Sequence, residues 1–207
     1  MGKRFQLNVF RERDQDRFRQ AIESVLGEKG SWISWDEAPN RPAADCRTAH
    51  AAEVQSIYVA DLGGFEHELL LGLGRELGGV WITLLVQEGA IWEYMLYHRD
   101  QCIDRFSVAP AYWDDSAEFA AKRRGNSTLL SEMWGVSLDL IPRCLVDWQM
   151  GETGEGVLEY GRRGKAYPGD RFGYRDFNQV FDFLRALGGS DPTNCLAGAR
   201  QHALFLP

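Results

Sequence analysis

The sequence predicts an α+β protein built on a ferredoxin-like βαββαβ antiparallel sheet, extended by a C-terminal hairpin and followed by additional helices in the C-terminal half. Three observations predict it. Over the first ninety residues the apolar period switches between 2 and 3.6 in the order strand, helix, strand, strand, helix, strand. Two aromatic and β-branched runs then flank Asp100-Gln101. Beyond Pro110, helix caps and glycine stops recur at short spacing. The 207 residues suit one α+β domain over 1–207, with a sheet half to about residue 110, a helical half over about 111–189 and a tail over 190–207.

The first strand is Phe5-Gln6-Leu7-Asn8-Val9-Phe10, whose alternation of apolar and polar residues predicts one buried face. Asp14 or Asp16 can cap a helix carrying Phe18, Ile22, Val25 and Leu26, stopped at Gly27. Ser31-Trp32-Ile33-Ser34-Trp35 reads as a short second strand, and the proline-flanked stretch from Pro39 to Ala52 as a loop. A third strand follows at Ser56–Ala60, then a helix over Phe65–Leu77 with Gly78-Gly79 as its stop. Gly72 and Gly74 inside that helix are close-packing positions against the sheet. Val80–Val86 is apolar except for Thr83, so both faces of this strand are expected to be covered.

The hairpin strands are Ile91–Arg99 and Cys102–Val108. In the helical half, one helix is expected over Asp114–Arg124. A second is capped by Asn126 or Ser127 and ended by Gly135, and a third begins at Ser137 with Pro142 near its start. Gly151–Gly164 is glycine-rich and reads as a loop or weak hairpin. Asp176 caps the last helix, through Val180, Phe181, Phe183, Leu184 and Leu187 to Gly188-Gly189. Leu204-Phe205-Leu206 can add an edge strand.

Composition narrows the function classes. The formal charge is -7 and aromatics reach 12%, with seven Trp. An acidic chain repels phosphate backbones, which disfavours nucleic acid and favours a basic partner. Cys46, Cys102, Cys144 and Cys195 are scattered with no CxxC, the pattern of thiols in a reducing compartment. No apolar run is long enough for a signal peptide or a membrane span, so the expected location is cytoplasmic.

The motifs of catalysis do not appear. Cys46 and His50 lack the second close ligand pair that zinc requires, so no metal site is expected. No GxSxG, SxxK or HExxH occurs, and the glycine clusters fit neither a Walker nor a Rossmann context, so neither a catalytic residue nor a cofactor is assigned. Asp114-Asp115, and Glu88 with Glu93, are acidic pairs more simply read as solvated faces or caps. The run Leu129–Ser137 followed by Ile141–Leu145, behind Lys122-Arg123-Arg124, has the rhythm of a helix-turn-helix. Pro142 and Asp139 intrude, however, on the would-be recognition helix.

The aromatic run Trp92, Tyr94, Tyr97 and Phe106, then Tyr112 and Trp113, is the better signal. Trp92-Glu93-Tyr94-Met95-Leu96-Tyr97, with Asp104-Arg105-Phe106 after the turn, resembles a pattern in uncharacterised bacterial α+β proteins of similar size. Gly135-Val136 and Phe181–Gly188 fit that resemblance, which covers about the last two-thirds of the chain. Asp100-Gln101 stands where that pattern has Asp-Gly. The resemblance implies a bacterial cytosolic protein, and some of these proteins are immunity proteins that neutralise a toxin by binding it.

The resulting expectation is a non-enzymatic protein-binding module, with Trp92, Tyr94, Tyr112, Trp113, Asp114 and Asp115 as the partner surface. The alternatives are a small-molecule-binding regulatory domain, which rests on fold analogy, and a helix-turn-helix-like DNA-binding protein.

Overall fold

The computed structural model describes residues 5–27, 31–34, 46–51, 54–59, 65–87, 91–148, 172, 176, 178–189 and 202–205. Those residues form a mixed α+β protein. In chain order the elements are β1 (Phe5–Phe10), α1 (Gln15–Leu26), β2 (Ser31–Ser34), β3 (Cys46–Ala51), β4 (Val54–Val59), α2 (Phe65–Leu77), β5 (Val80–Gln87), β6 (Ile91–His98), β7 (Gln101–Ser107), α3 (Ala117–Ala121), α4 (Ser127–Trp134), α5 (Gln179–Ala186) and β8 (His202–Phe205). Short 3-10 turns lie at Pro110–Tyr112, Leu138–Leu140 and Pro142–Cys144. The expected elements at Gly151–Gly164 lie outside the described residues.

The chain divides into two compact units. One comprises Phe5–Thr83, Tyr97–Cys102 and Gly188–Pro207, and the other Leu84–Leu96 and Ile103–Leu187 together with Met1–Arg4. In the first of these, the strand order is β2-β8-β3-β4-β1-β5. β1 pairs antiparallel with β4, with Leu7 opposite Tyr58, and β4 with β3, with Ile57 opposite Thr48. β8 pairs antiparallel with β3 through Ala203 and Arg47, and with β2 through Ala203 and Ile33.

Two expectations change here. The segment expected as a loop before Ala52 contains β3, and the tail strand is no edge: β8 lies between β3 and β2. β3 was not legible because Cys46-Arg47-Thr48-Ala49-His50-Ala51 lacks the aliphatic content that marks a strand. Its strand state comes from the ladders on both sides of it.

β1 departs from the half-buried expectation as well. Asn8 is as deeply buried as its neighbours Leu7, Val9 and Phe10. A strand flanked on both edges can be covered on both faces, and Asn8 tolerates this because it is satisfied. Its Oδ1 accepts a hydrogen bond from Thr83 Oγ1 at 2.9 Å and from Gln6 Nε2 at 3.0 Å.

Helix α1 is amphipathic and buries Phe18, Ala21, Ile22 and Leu26. Asp14 is its N-cap, accepting from the Asp16 and Arg17 amides. The two glycines of α2 do separate jobs. A Cβ on Gly72 would meet Val25 Cγ1 at 2.6 Å, so this glycine admits α1, not the sheet. A Cβ on Gly74 would lie 2.2 Å from the Arg99 carbonyl oxygen and 2.4 Å from Trp81 Nε1, so this one admits the turn after β6 and strand β5. Trp81 is held by its own indole donor, which bonds Arg99 O at 2.6 Å. It also stacks on Tyr97 at 4.0 Å and on Phe10 at 5.3 Å.

The other unit has the strand order β5-β6-β7. The turn between β6 and β7, which belongs to the first unit, is Arg99 and Asp100, one residue earlier than the sequence suggests, with Arg99 in the left-handed region at φ 57°. The core gathers around Trp92, Tyr94, Phe106 and Phe183. Tyr94 stacks on Phe183 at 5.4 Å, and Trp92 tilts against Phe106 at 5.1 Å. Leu130, Trp134, Ile141, Val180 and Leu184 are buried in the same unit.

One helix of the C-terminal half is shorter than expected, one is as expected and one is absent. α3 starts only at Ala117, with Ser116 as N-cap. α4 is capped by Asn126 and ended by Gly135 in the left-handed region at φ 75°, where a side chain would be strained. Leu130 and Trp134 are its buried face, while Leu129 and Met133 are half-buried. The third helix is not formed. Ser137 caps the 3-10 turn Leu138–Leu140, and a second such turn begins at Pro142, so the segment read as a recognition helix is two three-residue turns. Asp176 bonds the Asn178 amide at 3.0 Å, one turn ahead of the α5 N-terminus.

Candidate functional site

The six residues expected to form a partner surface separate by burial. Trp92 and Tyr94 are core, at 0% and 1% exposure. The partner-surface assignment of these two is corrected for a physical reason: alternation along β6 turns Trp92, Tyr94 and Leu96 to one face, and that face packs on Phe106 and Phe183. Tyr112, Trp113, Asp114 and Asp115 are all exposed.

Tyr94 is instead a structural keystone. Its hydroxyl donates to Asp104 Oδ2 at 2.6 Å, and the Asn126 amide donates to the same oxygen at 2.8 Å. Burial, with the Asp104 charge adding to it, pushes the Tyr94 phenol well above its ordinary value, so it stays a hydrogen-bond donor. Asp104 thereby fastens the α4 cap to β6. Beside it, Glu93 on the opposite face of β6 is half-buried. Desolvation raises its carboxyl above the usual range, while the Arg123 and Arg105 charges oppose the shift.

The exposed group is built by the loop after β7. Pro110–Tyr112 form a 3-10 turn, with the Tyr112 amide bonded to Ala109 O and the Trp113 amide to Pro110 O, both at 3.1 Å. Pro110 is buried and anchors the turn, so Tyr112 and Trp113 project from it at 43% and 47% exposure. Their rings meet edge to face, perpendicular, at 5.0 Å. This arrangement suits aromatic quadrupoles and holds both rings in a defined pose.

The chain then gives Asp114 and Asp115. Asp114 Oδ1 accepts the Ser116 amide at 2.8 Å, and Ser116 caps α3 by accepting from the Phe119 amide at 3.3 Å. The Ser116 hydrogen bonds, side chain first and backbone second, hold the Asp114 carboxyl below its ordinary value despite full exposure. Its charge therefore persists into mildly acidic solution. Farther along, Leu138 and Leu140 are also exposed.

No group of three metal-ligating side chains forms among the described residues. Cys46 and His50 lie on strand β3, not on a helix. Among the described residues no helix is long and apolar enough to cross a membrane. No protein-family model matches the chain, and no curated protein and no solved structure matches it.

Proposed function

We propose that this chain is a non-enzymatic protein-binding module that engages a basic protein partner through Tyr112, Trp113, Asp114 and Asp115, in the manner of a bacterial cytosolic immunity protein. The observation that carries the reading is the exposed edge-to-face pair Tyr112–Trp113, fixed on a 3-10 turn and followed at once by two exposed carboxylates. Aromatic anchors ringed by charge are the side chains that dominate protein contacts. The carboxylates, in a chain of charge -7, select a basic counterpart and steer it.

We also infer that β3-β4-β1-β5 with α1 and α2 is a ferredoxin-like βαββαβ arrangement. β3 takes the place expected for Ser31–Trp35. The strand order and the antiparallel β1–β4 and β3–β4 ladders support this.

The test is affinity capture from a lysate of the source organism, with the full chain and its Trp113→Ala and Asp114→Asn/Asp115→Asn variants run in parallel. The expected result is one stoichiometric basic protein held by the wild type. Trp113→Ala should lose it with its circular dichroism unchanged, and the double Asn variant should retain it less. Capture that is the same with all three chains, or no capture by the wild type, overturns the reading.

A further inference from the structure

A cleft of about 260 Å³ opens in the unit built from Phe5–Thr83, and every residue lining it belongs to that unit. Its walls are the chain leaving β1, Arg17 of α1, the last turn of α2 and the start of β5. Three arginines line it, Arg11, Arg13 and Arg17, against one carboxylate, Glu12. The lining is thus rich in guanidinium groups, within a chain whose total is -7. A locally basic recess in an acidic protein draws small anions.

The recess is held in shape before any ligand arrives. Arg17 Nη1 donates to Glu12 Oε2 at 2.8 Å and Nη2 to the Leu77 carbonyl at 2.9 Å. The Glu12 side chain, only 12% exposed, also accepts the Asp14 amide through Oε1 at 2.9 Å. Arg17 is thus a strut from α1 to the end of α2, with two of its five N–H donors engaged in these two bonds.

Arg11 is fixed at the backbone, its amide donating to Val80 O at 3.0 Å. Arg11 and Arg13 both line the cleft and are exposed. Beneath them Trp81 is locked between Phe10 and Tyr97. Gly74 keeps the α2 wall close to it, since a Cβ there would overlap Trp81 Nε1. Guanidinium forks match the paired oxygens of carboxylate and phosphate. The volume lies just below the roughly 300–1,000 Å³ of sites for drug-sized molecules, which restricts the ligand to a small one.

We propose that this cleft is a binding site for a small carboxylate- or phosphate-bearing molecule, with Arg11 and Arg13 gripping the oxyanion at the mouth and Arg17 setting the inner wall. The site is independent of the Tyr112–Trp113 surface, and either proposal can fail alone.

The experiment is an NMR titration of the ¹⁵N-labelled full chain with inorganic phosphate and, separately, with benzoate, against sodium chloride at matched ionic strength. The expected result is a saturable shift of the Arg11–Arg17 amides and of the Trp81 indole N–H, assigned through Trp81→Phe, with at least one of the two anions. Phosphate alone or benzoate alone identifies the preferred head group. Arg11→Gln/Arg13→Gln, which leaves the Arg17 strut intact, is expected to weaken that binding at least tenfold while the remaining spectrum stays superimposable. Shifts that fail to saturate, that chloride reproduces, or that persist at full affinity in the double variant overturn the proposal.

Discussion

Trp92 and Trp113 carry the same side chain in opposite surroundings. Removing a fully buried Trp leaves a cavity costing about 3–5 kcal/mol, whereas an exposed side chain is worth within about 0.5 kcal/mol of stability. Urea titration is therefore expected to show a large loss for Trp92→Ala and almost none for Trp113→Ala. Equal losses would mean that the loop after β7 is packed, and would remove the partner surface. The sequence marked both residues for one surface because it shows aromatic content and alternation but not which face of β6 the helices cover. Pro110, buried and adjacent, is the local sign that separates the loop pair from the strand pair.

Glu93 makes a second residue-scale prediction. Its folded-state carboxyl holds its proton to higher pH than in the unfolded chain. A carboxyl shifted upward stabilises the fold below its ordinary value, and that contribution is lost as pH rises through the folded value. Glu93→Gln is expected to raise the urea midpoint at pH 7 and to leave it unchanged near pH 4, below the ordinary value of 4.5. A midpoint lowered at pH 7 would mean that the attraction to Arg123 and Arg105 outweighs the burial.

Among the elements, the helices whose ends are written in side chains were legible to within a residue or two. α1 has Asp14 and α4 has Asn126 and Gly135, and the caps satisfy end groups locally, without help from the rest of the fold. The third helix of the C-terminal half failed where the sequence itself carried the warning: Pro142 cannot donate, and the chain resolves into two 3-10 turns.

Strand β8 was the opposite case, since its pairing partners β2 and β3 are far away in sequence. Ala203 lies opposite both Ile33 and Arg47, so a proline there breaks a ladder in the interior of the sheet order. In Ala203→Pro, hydrogen exchange is expected to rise several-fold in Ser31–Ser34 and Cys46–Ala51 while α4 and α5 keep their protection. Unchanged exchange in β2 and β3 would show that β8 contributes nothing to holding them.

At the scale of the molecule, charge was the most legible property and needs no coordinates. With -7 overall, association with a basic partner is expected to slow as salt rises. The Debye length shrinks from about 8 Å at 0.15 M to about 3 Å at 1 M. Stopped-flow rates measured across that range are expected to fall steeply, with a smaller change in dissociation. A flat salt profile would separate the aromatic anchor from any electrostatic steering. What net charge concealed was its distribution: Arg11, Arg13 and Arg17 are spread through a charged stretch that reads as solvated surface, and only folding gathers them along one cleft.

The place of β8 between β2 and β3 bears on how the protein is made. About 150 residues of chain separate β3 from β8, and a ribosome adding about 5–20 residues each second needs about 8–30 s to cover that distance. Throughout that interval β2 and β3 have been synthesised without the strand that joins them, and the open flank of β3 can pair with a foreign strand. Synthesis speed and holding chaperones should thus govern the yield of this protein more than its final stability does.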